Sequence, residues 1–247
     1  MKADASAQQL LLDLQKLDTT AAQLDHRERT LVEQQELLAL RTRIQRIHDE
    51  HVAAVVIAAD LARDQARADA DVEQVRERSR KDQHLLDSGT IGDPKQLQNL
   101  QHELQSLARR QSDLEDVELE IMERVDGAQA AVALLAEQHA EATAQEESLA
   151  AQVDALVAEI DAQRQVTIID RSELASRVPA DLLALYEKVR ADHDGVGAAH
   201  LHRGQCGGCR LQLPPNEIER LRAIEPDEVV RCEECRRILV RTAESGL

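Results

Sequence analysis

The chain has no Phe, no Trp and a single Tyr in 247 residues. A compact globular core draws much of its buried area from rings, so a large conventional core is excluded. A two-helix seam needs only mid-sized aliphatic knobs. Proline is absent between residues 95 and 178, and neither Gly nor Pro occurs before Gly89. Nothing in those stretches breaks a helix. No apolar run exceeds the eight residues 52–59, too short to cross a bilayer, and no basic-then-apolar leader opens the chain. Cysteine is missing everywhere except residues 206–235.

What remains is a helix former's alphabet: hydrophobic residues are 43% of the chain and charged residues 31%. That mix is typical of long helices and coiled coils. The net charge is −17. Residues 1–169 carry 18 Lys+Arg against 33 Asp+Glu, while residues 170–247 are nearly balanced, at 12 against 14. The acidity keeps a long helical surface soluble and repels bare nucleic acid over most of it.

Alternate steps of three and four residues from Leu97 to Gln163 visit twenty positions, fifteen of them apolar. This is a coiled-coil helix. In the first half, Leu10, Leu14, Leu17, Ala21 and Leu24 follow one register. Leu37, Leu40, Ile44 and Ile47 start another, so a discontinuity is expected near residues 37–40. Between the halves, Ser-Gly-Thr-Ile-Gly-Asp-Pro-Lys at 88–95 is a turn with Pro suited to the next helix start. The fold class is therefore mainly α: a long antiparallel coiled-coil hairpin over residues 1–169, about 110 Å long if straight. Residues whose numbers sum to about 182 should face each other. Residues 170–195 read as connecting helices, the first ended by Val178-Pro179, the second running from Pro179 to Arg190. The lone Tyr186 lies on the second and packs between hairpin base and ribbon. Residues 196–247 read as a small ribbon of short strands, with one helix from Pro214 to Arg222.

Chemistry concentrates in that last segment. Cys206, Cys209, Cys232 and Cys235 form two CxxC pairs separated by 22 residues. Two residues between cysteines let both thiolates reach one ion, and two such knuckles complete a tetrahedral sulfur set. Without an export signal the expected setting is a reducing cytoplasm, where thiols ligate metal in place of forming disulfides. One structural zinc ion per chain follows, contributing about 10–16 kcal/mol to a segment with little core of its own. Four thiolates leave no open coordination position. His200 and His202 stand near Cys206 but are not needed as ligands. With no phosphate loop, nucleophile–base pair or paired carboxylates, no enzyme activity is expected.

The start of the second helix, DPKQLQNLQHELQSLARRQSDLEDVELEIMERV, and the ending, CGGC through CEECRRILV, together resemble a bacterial family. Its members are four-cysteine zinc-ribbon proteins with an N-terminal coiled-coil hairpin, the flagellar zinc-ribbon proteins among them. The family has Pro after the third cysteine and Gly after the fourth; here Glu233 and Arg236 stand there. The resemblance implies an elongated hairpin with a ribbon at its base, and roles involving RNA, an alternative sigma factor, or secretion and flagellar partners.

Two surfaces are candidates for binding. Arg220, Arg222, Arg231, Arg236, Arg237 and Arg241 would make a phosphate-sized patch if they share a face. With no aromatic to stack bases, RNA binding there would be backbone-led and salt-sensitive. The hairpin tip holds Arg76, Arg78, Arg80, Lys81 and Lys95, a local reversal of the chain's acidity suited to docking a protein. The leading expectation is a non-catalytic adaptor for a protein partner, RNA or both, with no membrane and with self-pairing of hairpins open. The alternatives are a nucleic-acid-binding post-transcriptional regulator and an RNA-polymerase-associated coiled-coil factor acting through tip acids such as Asp87 and Asp93.

Overall fold

The computed structural model describes residues 1–247. Four helices come first: α1 (Ala5–Arg29), α2 (Val32–Asp87), α3 (Pro94–Ser176) and α4 (Ala180–Asp192). Then follow β1 (Ala198–His202), β2 (Gln205–Cys206), α5 (Pro215–Ala223), β3 (Val230–Arg231) and β4 (Ile238–Val240). The long helical hairpin is formed by α1 and α2 on one side and α3 on the other. Its turn is capped by Asp93, whose Oδ1 accepts the Lys95 N–H at 3.0 Å.

The break in the first arm falls at Thr30–Leu31, several residues before the change of seam expected at 37–40. The Thr30 hydroxyl bonds back to the His26 carbonyl, and its N–H is shared between His26 and Arg27 carbonyls. That tightens and ends α1. The second arm is longer than expected. Residues 170–176 continue α3 without a boundary, because nothing before Val178-Pro179 obstructs the helix.

The chain divides into two compact units. The first, Met1–Gln34 with Ala151–Leu247, holds the larger cores. One core joins Leu11 and Leu14 of α1, Leu182, Tyr186 and Val189 of α4, Ala198 of β1, and Ile238 and Val240 of β4. The sheet order is β2-β1-β4-β3, with β1 and β4 parallel and the other pairs antiparallel. One sheet face packs on α1 and α4; the other faces Leu213, Leu221 and the cysteines. The chain's first residues also join the ribbon. The Ala3 N–H donates to the Asp227 carbonyl at 2.7 Å, Val229 N–H to the Met1 carbonyl at 2.9 Å.

The second unit, Gln35–Ala150, is a plain two-helix seam. Its buried side chains include Leu37, Ile47, Leu61, Val72, Val75, Leu107 and Val125. Arg78–Glu103, Arg76–Glu115 and Arg41–Glu146 cross between the arms. The first meets the expected antiparallel constant of about 182; Arg76–Glu115 sums to 191, and farther from the turn Arg41–Glu146 and the facing rings of His48 and His139 both sum to 187, so there the register lies a few residues beyond the expected one.

Candidate metal centre

Both knuckles are built alike. In the first, the Cys206 N–H donates to the Leu211 carbonyl at 3.0 Å and the Arg210 N–H to the Cys206 carbonyl at 2.8 Å. In the second, the Cys232 N–H donates to the Arg237 carbonyl at 3.0 Å and the Arg236 N–H to the Cys232 carbonyl at 2.9 Å. The residue after each pair turns left-handed, Arg210 at φ 62° and Arg236 at φ 60°. This reversal aims backbone N–H groups at the sulfurs: Gly208 and Cys209 at Cys206, Glu234 and Cys235 at Cys232, Arg237 at Cys235. The first knuckle needs glycine for space. A Cβ on Gly207 would lie 2.7 Å from the His200 ring, and one on Gly208 2.8 Å from Arg237 Cδ.

The four Sγ atoms lie within 4.8 Å of one another. Cys206–Cys235 and Cys209–Cys232 are separated by 3.8 and 3.9 Å. A tetrahedron of sulfurs about 2.3 Å from a zinc ion has edges of about 3.8 Å, so the spacing fits the ion. Cys206 and Cys232 are fully buried and the other two half-buried. Burial pushes the Cys206 and Cys232 thiols above their ordinary range, and each other knuckle's cysteine adds to it. Cys235 is pulled below its ordinary range: burial opposes this, but the Arg237 N–H and side chain and the neighbouring thiols outweigh it. Metal binding must displace protons from the two buried sulfurs.

The six arginines of the ribbon do not form one open patch. Arg241 forks into the carbonyls of Leu221, Ile224, Glu225 and Glu228 and closes the end of α5. Arg237 donates to the carbonyls of Val196 and His193, tying the second knuckle to the entry of β1. Arg231 donates to the Arg236 carbonyl, and Arg220 pairs with Glu233 at 2.8 Å. Arg222 reaches only the Gly246 carbonyl at 3.5 Å, and Arg236 remains on the surface with it. His202 faces Glu244 at 3.4 Å; His200 packs over Gly207. At the tip, Arg76, Arg78, Arg80 and Lys81 all pair with glutamates, leaving Lys95 exposed. Asp87 accepts from Gln83, and Asp93 is the helix cap.

A buried polar cluster escaped sequence reasoning. Asp18, with its side chain 3% exposed, accepts from the Tyr186 hydroxyl at 2.6 Å, Arg171 Nε at 2.6 Å and Arg190 at 3.1 Å. Gln15 accepts from the Gly197 N–H at 2.7 Å and donates to the Gly195 carbonyl at 3.0 Å. Burial first, then Asp18, holds the Tyr186 hydroxyl protonated far above its ordinary range. Asp18 likewise raises Arg171. The available signal was Gln15 and Asp18 flanking Leu14 on one helical face, an arrangement that heptad reading counts as surface.

Residues 14–194 match the CT398-like coiled coil hairpin domain, and residues 205–239 match the C4-type zinc ribbon domain. The chain belongs to the CT398-like family. It is 37% identical to an uncharacterized protein of Mycobacterium tuberculosis, across 98% of each chain. A solved structure from Mycobacterium smegmatis is similar with a TM-score of 0.82 at 34% identity, covering 98% of this chain and 100% of that one. CT398 from Chlamydia trachomatis shares the fold at a TM-score of 0.66 and 17% identity, covering 96% of this chain and 98% of that one. No helix is long and apolar enough to cross a membrane.

Proposed function

We propose that the protein is a non-catalytic adaptor whose zinc-folded ribbon binds a protein partner, with the hairpin as spacer. One structural zinc ion per chain, on Cys206, Cys209, Cys232 and Cys235, closes the head in a reducing cytoplasm. Four thiolates around one ion leave no position for substrate. The observation that carries the protein-partner reading is the use of the arginines. Arg237, Arg241 and Arg231 spend guanidinium donors on this chain's own carbonyls, and Arg220 is paired with Glu233, so fewer donors are left to grip a phosphate. In its place the head offers an open groove of about 960 Å³ between α1 and the first knuckle. Lys16, Thr19, His200, Arg210 and Glu244 line it. These mixed donors and acceptors suit a polar peptide surface more than a phosphate backbone.

The test is a crosslinking pull-down with full-length zinc-loaded protein from the native cell. Arg210→Glu should lose a protein that wild type retains, while a tip variant with Lys81→Glu and Lys95→Glu keeps it. Recovery of RNA in a salt-sensitive manner, abolished by Arg222→Ala with Arg236→Ala, would replace this reading with the regulator. Loss on the tip variant alone would move the docking surface to the hairpin end, and co-recovery of RNA polymerase there would favour the polymerase-associated factor.

A further inference from the structure

In the second unit, α2 carries two apolar seams, and only one is used. Ala54, Leu61, Ala68 and Val72 follow three–four spacing on the side that is withdrawn from solvent. A second series with the same spacing runs from Leu38 to Ala70; it is polar at Thr42, Gln45, Asp49 and Arg63 and apolar at Leu38, Val52, Val56, Ala59, Ala66 and Ala70, and every one of these is exposed. At about 100° per residue this series lies on the outer side of the helix. Leu38, Val52 and Val56 are 69%, 48% and 55% exposed. No charge interrupts residues 52–59. On α3 residues 127–136 are also uncharged, and Leu134 there is 56% exposed. The cross-arm pairs Arg41–Glu146 and Arg76–Glu115 bracket both runs, so they share one level of the hairpin. On the outer face of α2 the stretch Val52, Val56 and Ala59 is apolar, exposed and without a partner in this chain, the kind of surface that marks a contact.

The charges beside the band select what covers it. On the outer series itself, Asp49 lies seven residues before Val56 and Arg63 seven residues after it. Both are exposed. Their present contacts are local: Asp49 accepts from Gln45 and Arg63 pairs with Asp60, each within one turn of the same helix. A second copy running antiparallel about Val56 would set Asp49 of each copy against Arg63 of the other, about 10 Å either side of the centre. A parallel copy would set like charge against like. We propose that this outer face of α2 is a self-association surface on which a second copy of the chain packs antiparallel, centred on Val56. The valines and alanines supply the contact and allow close helix approach; the two Asp–Arg pairs set its direction.

Sedimentation equilibrium of the full-length zinc-loaded protein tests this. Wild type should sediment at twice the 27.5 kDa chain mass at about 50 µM, the range expected of a modest helix–helix contact. Val56→Asp should return it to single-chain mass with its helical circular dichroism unchanged. Asp49→Arg alone and Arg63→Asp alone should each weaken association about tenfold or more. An equimolar mixture of those two variants should restore it, since both cross-pairs then have opposite charges. Because these residues are exposed, the two charge variants keep the test open even if Val56→Asp misfolds. Single-chain mass for wild type at every concentration overturns the proposal, and so does a mixture that fails to restore association.

Discussion

Asp18 is the residue on which the first unit most depends. It sits among apolar neighbours from α1, α4 and the sheet, with two guanidinium groups and a phenol converging on it. Removing one member of a buried charged group leaves the others uncompensated. Asp18→Asn should lower stability by about 3 kcal/mol, and Tyr186→Phe, which deletes one hydrogen bond, by about 1–2 kcal/mol; thermal or urea unfolding measures both. Arg236 is strained in the other direction. A non-glycine residue at φ 60° bears a steric penalty, and this is the position that the resembling family fills with glycine. Arg236→Gly should therefore raise stability by about 1 kcal/mol in the same assay, with zinc content unchanged. Glu217 is a third case. It is 3% exposed, one carboxylate oxygen has no hydrogen-bond partner, and burial first, then Glu233, raises its carboxyl above the ordinary range. The folded state holds that proton more tightly than the unfolded chain does. The charged form therefore destabilises the fold at neutral pH, and that destabilisation fades as pH falls through the folded value. Glu217→Gln should melt higher than wild type at pH 7.5, with the difference shrinking as the pH falls toward the ordinary carboxyl value of 4.5; a constant difference would assign the gain to packing.

At the level of elements, the ribbon has two sides with different supports. β1 and β4 are held on α1 and α4 by Leu11, Leu14, Tyr186 and Ile238, with no sulfur involved. The knuckles and α5 depend on the second core, in which Cys206 and Cys232 are themselves packing members. Chelating the metal should therefore unfold residues 203–237 while α1 and α4 keep their protection; amide exchange before and after chelation resolves the two. Loss of protection throughout the first unit would show that the ion supports both cores. Much of this was legible in the sequence. Cys spacing gave the knuckles, the missing prolines gave the long arms, and Pro214-Pro215 gave the start of α5. Other parts were not. Residues 210–213 alternate polar and apolar as a strand does, yet they form one bridge, Gln205 with Gln212, because Arg210 must turn left-handed to close the first knuckle. The buried face of α1 is Ala7, Leu11, Leu14 and Asp18, rotated from the Leu10–Leu14–Leu17 register. A heptad describes one partner helix, and here α4 and the sheet compete for the same helix. The arginine patch dissolved for a related reason: composition counts charges, whereas backbone carbonyls left over by short strands and helix ends recruit them.

Across the whole molecule, the uneven distribution of buried side chains sets a gradient of local stability. The first unit buries Leu11, Leu14, Leu182, Tyr186, Leu201, Leu221 and Ile238 completely. In the second unit many seam positions are alanine or polar, among them Ala54, Ala58, Gln65, Ala128 and Ala142, and His48 meets His139 across the arms with ring centroids 5.7 Å apart. Each alanine in place of leucine gives up about 2 kcal/mol of burial or more, so residues 35–150 should open locally at lower free energy than α1 or α4. Hydrogen exchange of dilute protein should show fast exchange over residues 48–66 and slow exchange over residues 8–18 and 182–189. Raising the protein concentration then separates an intrinsically weak seam from one that a second copy completes. If the outer face of α2 pairs with itself, protection over residues 49–63 rises with concentration while that of residues 8–18 stays fixed. If protection over 49–63 is already equal to that of α1 in dilute solution, the alanine-rich seam is sufficient alone, and the gradient drawn from burial fails.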